Sequence, residues 1–295
     1  MQFLPRSEVL SIEELLRVAR LFTELGVRKI RVTGGEPLVR KGAIDLFRGL
    51  GALPNLTTLA VTTNGSQLAS AARSLKDAGV RSINISLDSL RAERFREITR
   101  VGDLNTVLRG VDAAVAAGFD RIRLNAVVLD GLNQDEVLSL TQFAIEKRIH
   151  IAFIEEMPLG QVTVGGKALA YVSSETLLEA LGNHYSLQPL PNNDLAGPSR
   201  DFLINGTQTE LGFISPHSHN FCSSCNRLRI SAEGRLLMCL GNEESIDLRA
   251  LLRSACSDDQ IKSTIIESLA LKPERHVFDR PEAPQIVRFM NATGG

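Results

Sequence analysis

Apolar residues recur along the first half of the chain in two alternating rhythms. KIRVT, LAVTT, SINISL, RIRLNAVVL and IAFIE are rich in β-branched residues, and several switch character at every second position, as strands do. Between them lie segments whose apolar residues fall three and four apart, as on one face of a helix. In SIEELLRVARLFTELG, Ile12, Leu15, Leu16, Ala19 and Phe22 share a face, Ser11 with Glu14 forms a capping box, and Gly26 supplies the stop. Gly79 and Gly118 end SAARSLKDAG and VLRGVDAAVAAG in the same way. Strand and helix thus alternate to about residue 156, the order that builds a parallel sheet with crossover helices.

The polar positions within those strands change the picture. Arg31 and Thr33 share one face of the first strand, as do Thr62 and Asn64, then Asn84, Ser86 and Asp88, then Arg121, Arg123 and Asn125 on the next three. Ile30, Val32, Ile83, Ile85, Ile122 and Leu124 form the opposite face. Parallel strands covered by helices on both sides should be apolar on both. A polar inner face predicts a barrel-like sheet with a solvated lumen that holds a polar ligand, the alternative being an open sheet with one wet face, which is uncommon for parallel strands. At the end of the first strand, TGGEP (Thr33 to Pro37) puts paired glycines where a backbone can come close to such a ligand. A second pair, Gly165 and Gly166, lacks the spacing of a phosphate loop and is expected in a flexible connection.

A length of 295 residues suits one large α/β domain and a smaller one. The net charge of −1 gives no global basic field for nucleic acid, so any anion site must be local. With no signal peptide, transit segment or apolar run of membrane length, the expected compartment is the cytoplasm, with no membrane partner. In that reducing setting, clustered cysteines point to metal ligation over disulfides. Of four cysteines, three fall in FCSSCNRLRISAEGRLLMC. Cys222 and Cys225 form a CxxC turn, and Cys239 is expected to return on a hairpin to close the site. Soft thiolates select zinc or an iron–sulfur cluster, and three ligands leave either a fourth protein ligand or an open position. Candidates for the fourth are His217, His219 and Cys256, the last in an apolar helix where cysteine reads as a small hydrophobe. Arg227 and Arg229, two apart on an expected strand, would present anion donors beside the sulfurs.

IRVTGGEPLVRKG, VTTNG, INISLDSL, RLNAVVLDGLN, FIEEMPLG, the whole cysteine run with CNRLR, and the terminal double glycine resemble, in order along nearly the whole chain, the GTP 3′,8-cyclases of molybdenum cofactor biosynthesis, which are radical S-adenosylmethionine enzymes. The resemblance implies an incomplete (β/α) TIM-type barrel lacking its first strand over residues 1–157. Residues 158–295 would form a smaller C-terminal α+β domain that binds a [4Fe–4S] cluster and GTP. It implies Cys222, Cys225 and Cys239 as the cluster ligands, with one iron open to guanine. Arg31, Thr62, Arg123, Arg227, Leu228 and Arg229 match GTP contacts, with lysine the commoner family residue at Arg123. Gly34, Gly35, Glu36, Ser86 and Met157 match the S-adenosylmethionine site, and Gly294 and Gly295 a catalytic tail. The implied reaction removes the ribose 3′ hydrogen of GTP with an adenosyl radical and closes C3′ onto C8 of guanine. Cyclic pyranopterin monophosphate synthase follows in the pathway; the resemblance admits a homodimer and leaves the electron donor unnamed.

The family's N-terminal strand and CxxxCxxC motif, ligands of the second [4Fe–4S] cluster, are not in this sequence, whose first cysteine is Cys222. The expectation is therefore a truncated gene model or a fragment of a working enzyme, inactive as written because no adenosyl radical forms by the known route. A non-catalytic GTP-binding or scaffold homologue and a zinc-stabilised structural module are the alternatives.

Overall fold

The computed structural model describes residues 5–157, 163–164, 167–168, 171–191, 197–219, 221–222, 225–241 and 244–274. The first half follows the predicted beat. Strands β1 (Lys29–Val32), β2 (Thr58–Thr63), β3 (Val80–Ser86), β4 (Arg121–Val128) and β5 (His150–Glu155) are separated by helices α2 (Ala43–Gly51), α3 (Leu68–Asp77), α4 (Ala92–Thr99), α5 (Leu104–Ala117) and α6 (Val137–Lys147), with α1 (Ile12–Glu24) in front. The capping box of α1 is present in both directions, Ser11 accepting from the Glu14 amide and Glu14 from the Ser11 amide. Gly118 caps α5 in the left-handed conformation its sequence position calls for.

Neighbouring strands β1 to β5 pair in parallel, and their register turns the polar alternation into rows across the sheet. Thr62, Asn84, Arg123 and His150 stand side by side, one per strand. The adjoining row, Ile85, Leu124 and Ile151, is fully buried beneath the helices. The main core lies there, with Phe47, Leu68, Leu75, Leu140 and Phe153 among its members. One wet and one dry face are what the sequence predicts for a barrel wall.

Past residue 157 come β6 (Thr163–Val164), β7 (Lys167–Ala168), α7 (Ser174–Gly182), β8 (Leu187–Pro189), β9 (Arg200–Ile204) and β10 (Glu210–Ile214). β10 pairs in parallel with β5, and β9 and β8 follow antiparallel, so the sheet has eight strands in the order β1-β2-β3-β4-β5-β10-β9-β8. The sheet therefore runs straight across the boundary expected at residue 157, because β10 satisfies the backbone edge of β5. The turn-rich QPLPNNDLAGPSRD carries the end of β8 and the start of β9. These strands are short and lie at the sheet's outer side, so they show little alternation to read.

The cysteine region builds a second sheet of β11 (Arg229–Ile230), β12 (Arg235–Leu237) and β13 (Ser245–Asp247), followed by α8 (Leu248–Arg253) and α9 (Asp258–Ser268). Gly234, at φ +81°, closes the β11–β12 turn, with its amide donating to the Ser231 carbonyl. A second core joins this sheet to α1: Val18, Leu21 and Phe22 meet Leu236, Met238, Leu248, Leu252, Ile261 and Ile265. Charges reinforce the joint, since Asp258 holds Arg17 and Arg20 while Glu14 holds Arg253. Among the described residues no helix is long and apolar enough to cross a membrane.

Candidate functional site

The lumen row is charged and held by residues from the far end of the sheet. Arg123, 8% exposed, donates from Nη2 to Asp201 Oδ2 at 2.7 Å, with Glu210 3.6 Å away. Arg121 pairs with Glu210 and lies 3.7 Å from Asp201. Ser199 donates to the other Asp201 oxygen at 2.5 Å. Burial pulls the Arg123 guanidinium below its ordinary value; Asp201 opposes the shift and Arg121 adds to it. Its Nε is buried without a hydrogen-bond partner among the described residues. On β1, Arg31 donates to the Val61 carbonyl at 3.2 Å and to Thr62 Oγ1 at 3.3 Å. Arg31 keeps some accessible surface because the lumen is open, yet surrounding protein, then the charges of Arg123 and Arg121, bring it down to about 10. Lys29 is lowered by burial and by the same three arginines. His150 accepts the Glu210 amide on Nδ1 at 3.0 Å, and burial with the charge of Arg121 takes it to about 4, so it stays neutral near pH 7. The lumen thus concentrates cations against two carboxylates.

At the mouth of β1, half-buried Gly34 takes φ +145° with nothing within 4 Å of a Cβ position, which leaves open space beside the backbone at the strand's end. Glu36 has a structural task. Its carboxylate accepts from the Leu38 amide at 3.0 Å, Thr63 Oγ1 at 2.9 Å and the Asn64 amide at 2.6 Å, pinning the TGGEP loop to the end of β2. Ser86, at the end of β3, and Met157, two residues past β5, are half-buried. Two residues past Ser86, Asp88 accepts the Val127 amide at 2.8 Å, and burial, partly offset by that bond, raises its carboxyl to about 6. Glu155, 1% exposed, gathers the amides of Ser174, His217 and Ser218 and so fixes the loop after β10. In that loop His217 turns Nε2 to the Glu156 carbonyl at 2.7 Å and stacks on Tyr171 at 4.6 Å, and His219 is exposed.

The cysteine limbs meet at a cation. Cys225 N donates to the Cys222 carbonyl at 3.0 Å, closing the CxxC turn, and the Gly241 amide reaches Cys239 Sγ at 3.4 Å. Lys272 lies 3.8 Å from Cys225 Sγ and donates to the carbonyls of Arg227 and Met238. Burial would raise the Cys225 thiol, but the Arg227 amide, the Arg227 charge and side-chain hydrogen bond, and Lys272 together lower it. Burial and Arg227 draw Arg229 down to about 10, while Cys225 and Cys239 act upward, so both sulfurs share Arg229 as a neighbour. Arg227 lies over the Phe221 ring at 5.1 Å. Leu228 faces the other way, packed into the second core with Ile230. Among the described residues no three His, Cys, Asp or Glu side chains converge as ligands of one ion. A thiolate set with lowered Cys225 and flanking cations fits an iron–sulfur cluster. Cys256 packs against the second core as a small hydrophobe, but from the connection between α8 and α9 and not from the helix expected for it.

The structure thus groups Arg31, Thr62 and Arg123 in the lumen, and Cys225, Cys239, Arg227 and Arg229 at the hairpin. Gly294, Gly295, Gly165 and Gly166 lie outside the described residues. Sequence reasoning missed Asp201, Glu210, Gly212 and Lys272. Asp201 lies on β9 and Glu210 and Gly212 on β10, five-residue strands that face Arg123 only through sheet pairing, and the lysine follows an ordinary amphipathic helix, so none carries a local pattern.

A model of the Radical SAM superfamily matches residues 2–144, and one described as Molybdenum Cofactor Synthesis C matches 149–278. GTP 3′,8-cyclase of Saccharophagus degradans is 51% identical over 296 residues, covering 100% of this chain and 89% of the relative. That of Ectopseudomonas mendocina is 52% identical with the same coverage. The crystal structure of Streptococcus suis SuiB bound to S-adenosylmethionine aligns with a TM-score of 0.60 at 16% identity, over 86% of this chain and 61% of SuiB, a likeness of fold alone. Radical SAM membership implies a [4Fe–4S] cluster and S-adenosylmethionine. With two curated relatives matching its full length at half identity, the chain belongs to the GTP 3′,8-cyclase family of the radical SAM superfamily.

Proposed function

We propose that this chain binds GTP between its cationic lumen and its cysteine hairpin for cyclisation to 3′,8-cyclo-7,8-dihydro-GTP, the product then passing to cyclic pyranopterin monophosphate synthase. The observation that carries the reading is Arg123, buried, fixed by Asp201 and still holding an unpartnered Nε, within a set that includes Arg31 and Thr62. Guanidinium groups from separate strands suit the several oxygens of a triphosphate. Arg227 and Arg229 add donors beside the sulfurs, and Leu228 serves from the backbone because its side chain is committed to the core. Cys222, Cys225 and Cys239 would hold a [4Fe–4S] cluster with one iron unbound by cysteine. Gly34, Gly35, Ser86 and Met157 would hold S-adenosylmethionine, with Glu36 keeping their loop in shape. With an electron from a CxxxCxxC-bound cluster, for which this sequence holds no ligands, S-adenosylmethionine would supply the radical that takes the ribose 3′ hydrogen before C3′ closes on C8. The protein's own share is to hold both ends of GTP and exclude water. Gly294 and Gly295 would serve as the catalytic tail that family membership suggests.

The test is calorimetry of GTP with the full chain, reconstituted anaerobically with iron and sulfide. Replacing Arg227 and Arg229 together by alanine should weaken binding by about 100-fold or more, as expected for loss of two charged donors. Parent protein that binds no GTP would exclude the reading. Stoichiometric zinc without sulfide would exclude the cluster assignment.

A further inference from the structure

Lys272 follows the short turn Leu269–Leu271 that ends the α9 region, and no role proposed above uses it. An ammonium has three donors to place. Here Nζ donates to the Arg227 carbonyl at 2.9 Å and the Met238 carbonyl at 2.8 Å, and faces Cys225 Sγ at 3.8 Å. Arg227 lies two residues past Cys225, and Met238 directly precedes Cys239, so one side chain grips both limbs that carry the sulfurs. The lysine is half-buried, where its charge is less screened than at an open surface.

We propose that Lys272 is a positioning residue of the cluster site: it staples the Arg227 limb to the Met238 limb and sets a fixed positive charge against the Cys225 sulfur. Both effects favour a bound, reduced cluster, the first by pre-arranging the ligands and the second by offsetting negative charge on the iron–sulfur unit. A compact ammonium with radially arranged donors meets two carbonyls and a sulfur, which a planar guanidinium fork does not. The inference rests on the reading of Cys222, Cys225 and Cys239 as cluster ligands.

Two substitutions in the full chain separate the effects. Lys272→Met removes donors and charge at similar volume, and Lys272→Arg keeps the charge. In chelator competition, Lys272→Met should hold iron about 10–100-fold more weakly, the usual penalty for losing a residue that supports metal ligands. Its midpoint potential, followed by electron paramagnetic resonance, should fall, while that of Lys272→Arg stays near the parent's. In cluster-free protein, amide hydrogen exchange should quicken at 225–230 and 236–240 in Lys272→Met with β1 to β5 unchanged. Equal iron affinity and potential in parent and Lys272→Met would overturn the electronic role. Unchanged exchange in the two limbs would overturn the staple. A parent chain that takes up no cluster would overturn the ligand reading and the electronic role with it, and exchange would still decide the staple alone.

Discussion

Gly212 sits on β10 where a Cβ would lie 2.3 Å from Ser199 Oγ, 2.6 Å from Asp201 Oδ1 and 3.3 Å from Arg123 Nη1. The missing side chain is what lets Asp201 reach Arg123. Gly212→Ala should leave the fold intact, because the displaced atoms are side-chain ends, yet lower GTP affinity about tenfold or more through the misplaced guanidinium. Calorimetry beside a thermal melt separates the two, and equal affinity in both proteins would remove Asp201 from the positioning role. Asp88 gives a second residue-scale prediction, on pH. Burial raises its folded carboxyl to about 6 from the ordinary aspartate value of about 4, so the native state holds the proton more tightly. Ionising it costs stability as pH rises from about 4 to 6, by at most about 3 kcal/mol. Asp88→Asn, which keeps an oxygen for the Val127 amide, should be more stable than the parent above pH 6 and converge on it near pH 4. Parallel stability profiles would contradict this.

Helix α1 works as an element with two faces. Ala19 faces the main core, while Val18, Leu21 and Phe22 face the second, so the helix seats the cysteine sheet on the barrel. Leu21→Ala, at a fully buried position, should cost about 3 kcal/mol. Because the loss falls on the second core, iron retention by the reconstituted hairpin should drop with it; retention equal to the parent's would show that the hairpin folds independently of α1. The cap at the same helix is a smaller matter, and Ser11→Ala should cost about 1 kcal/mol in denaturant melts. At this scale the sequence was highly legible. Every strand from β1 to β5 falls within two residues of its predicted span, because alternation over five or more residues and glycine stops act locally. β8, β9 and β10 escaped notice because their pairing is decided by the unsatisfied edge of β5, far away in sequence.

Across the whole molecule the net charge is −1, while Lys29, Arg31, Arg121 and Arg123 crowd the lumen with Asp201 and Glu210 as counter-charges. Such a local field draws an anion without making the protein basic. Raising salt from about 50 to about 300 mM should therefore weaken GTP binding by roughly an order of magnitude, as screening shortens the field's reach. Affinity indifferent to salt would argue that base contacts dominate.

The alternation of strands and helices through β5, the wet face of that part of the sheet, the cysteine spacing and the paired arginines beyond it were all determined by the sequence, since each is a periodicity or motif within a few residues. Only the tertiary structure decided that Asp201 holds Arg123, that Glu36 anchors its loop, that Leu228 turns inward and that Lys272 joins two limbs. Those contacts arise from elements brought together by burial, and a chain read in order carries no signal for a partner dozens of residues away.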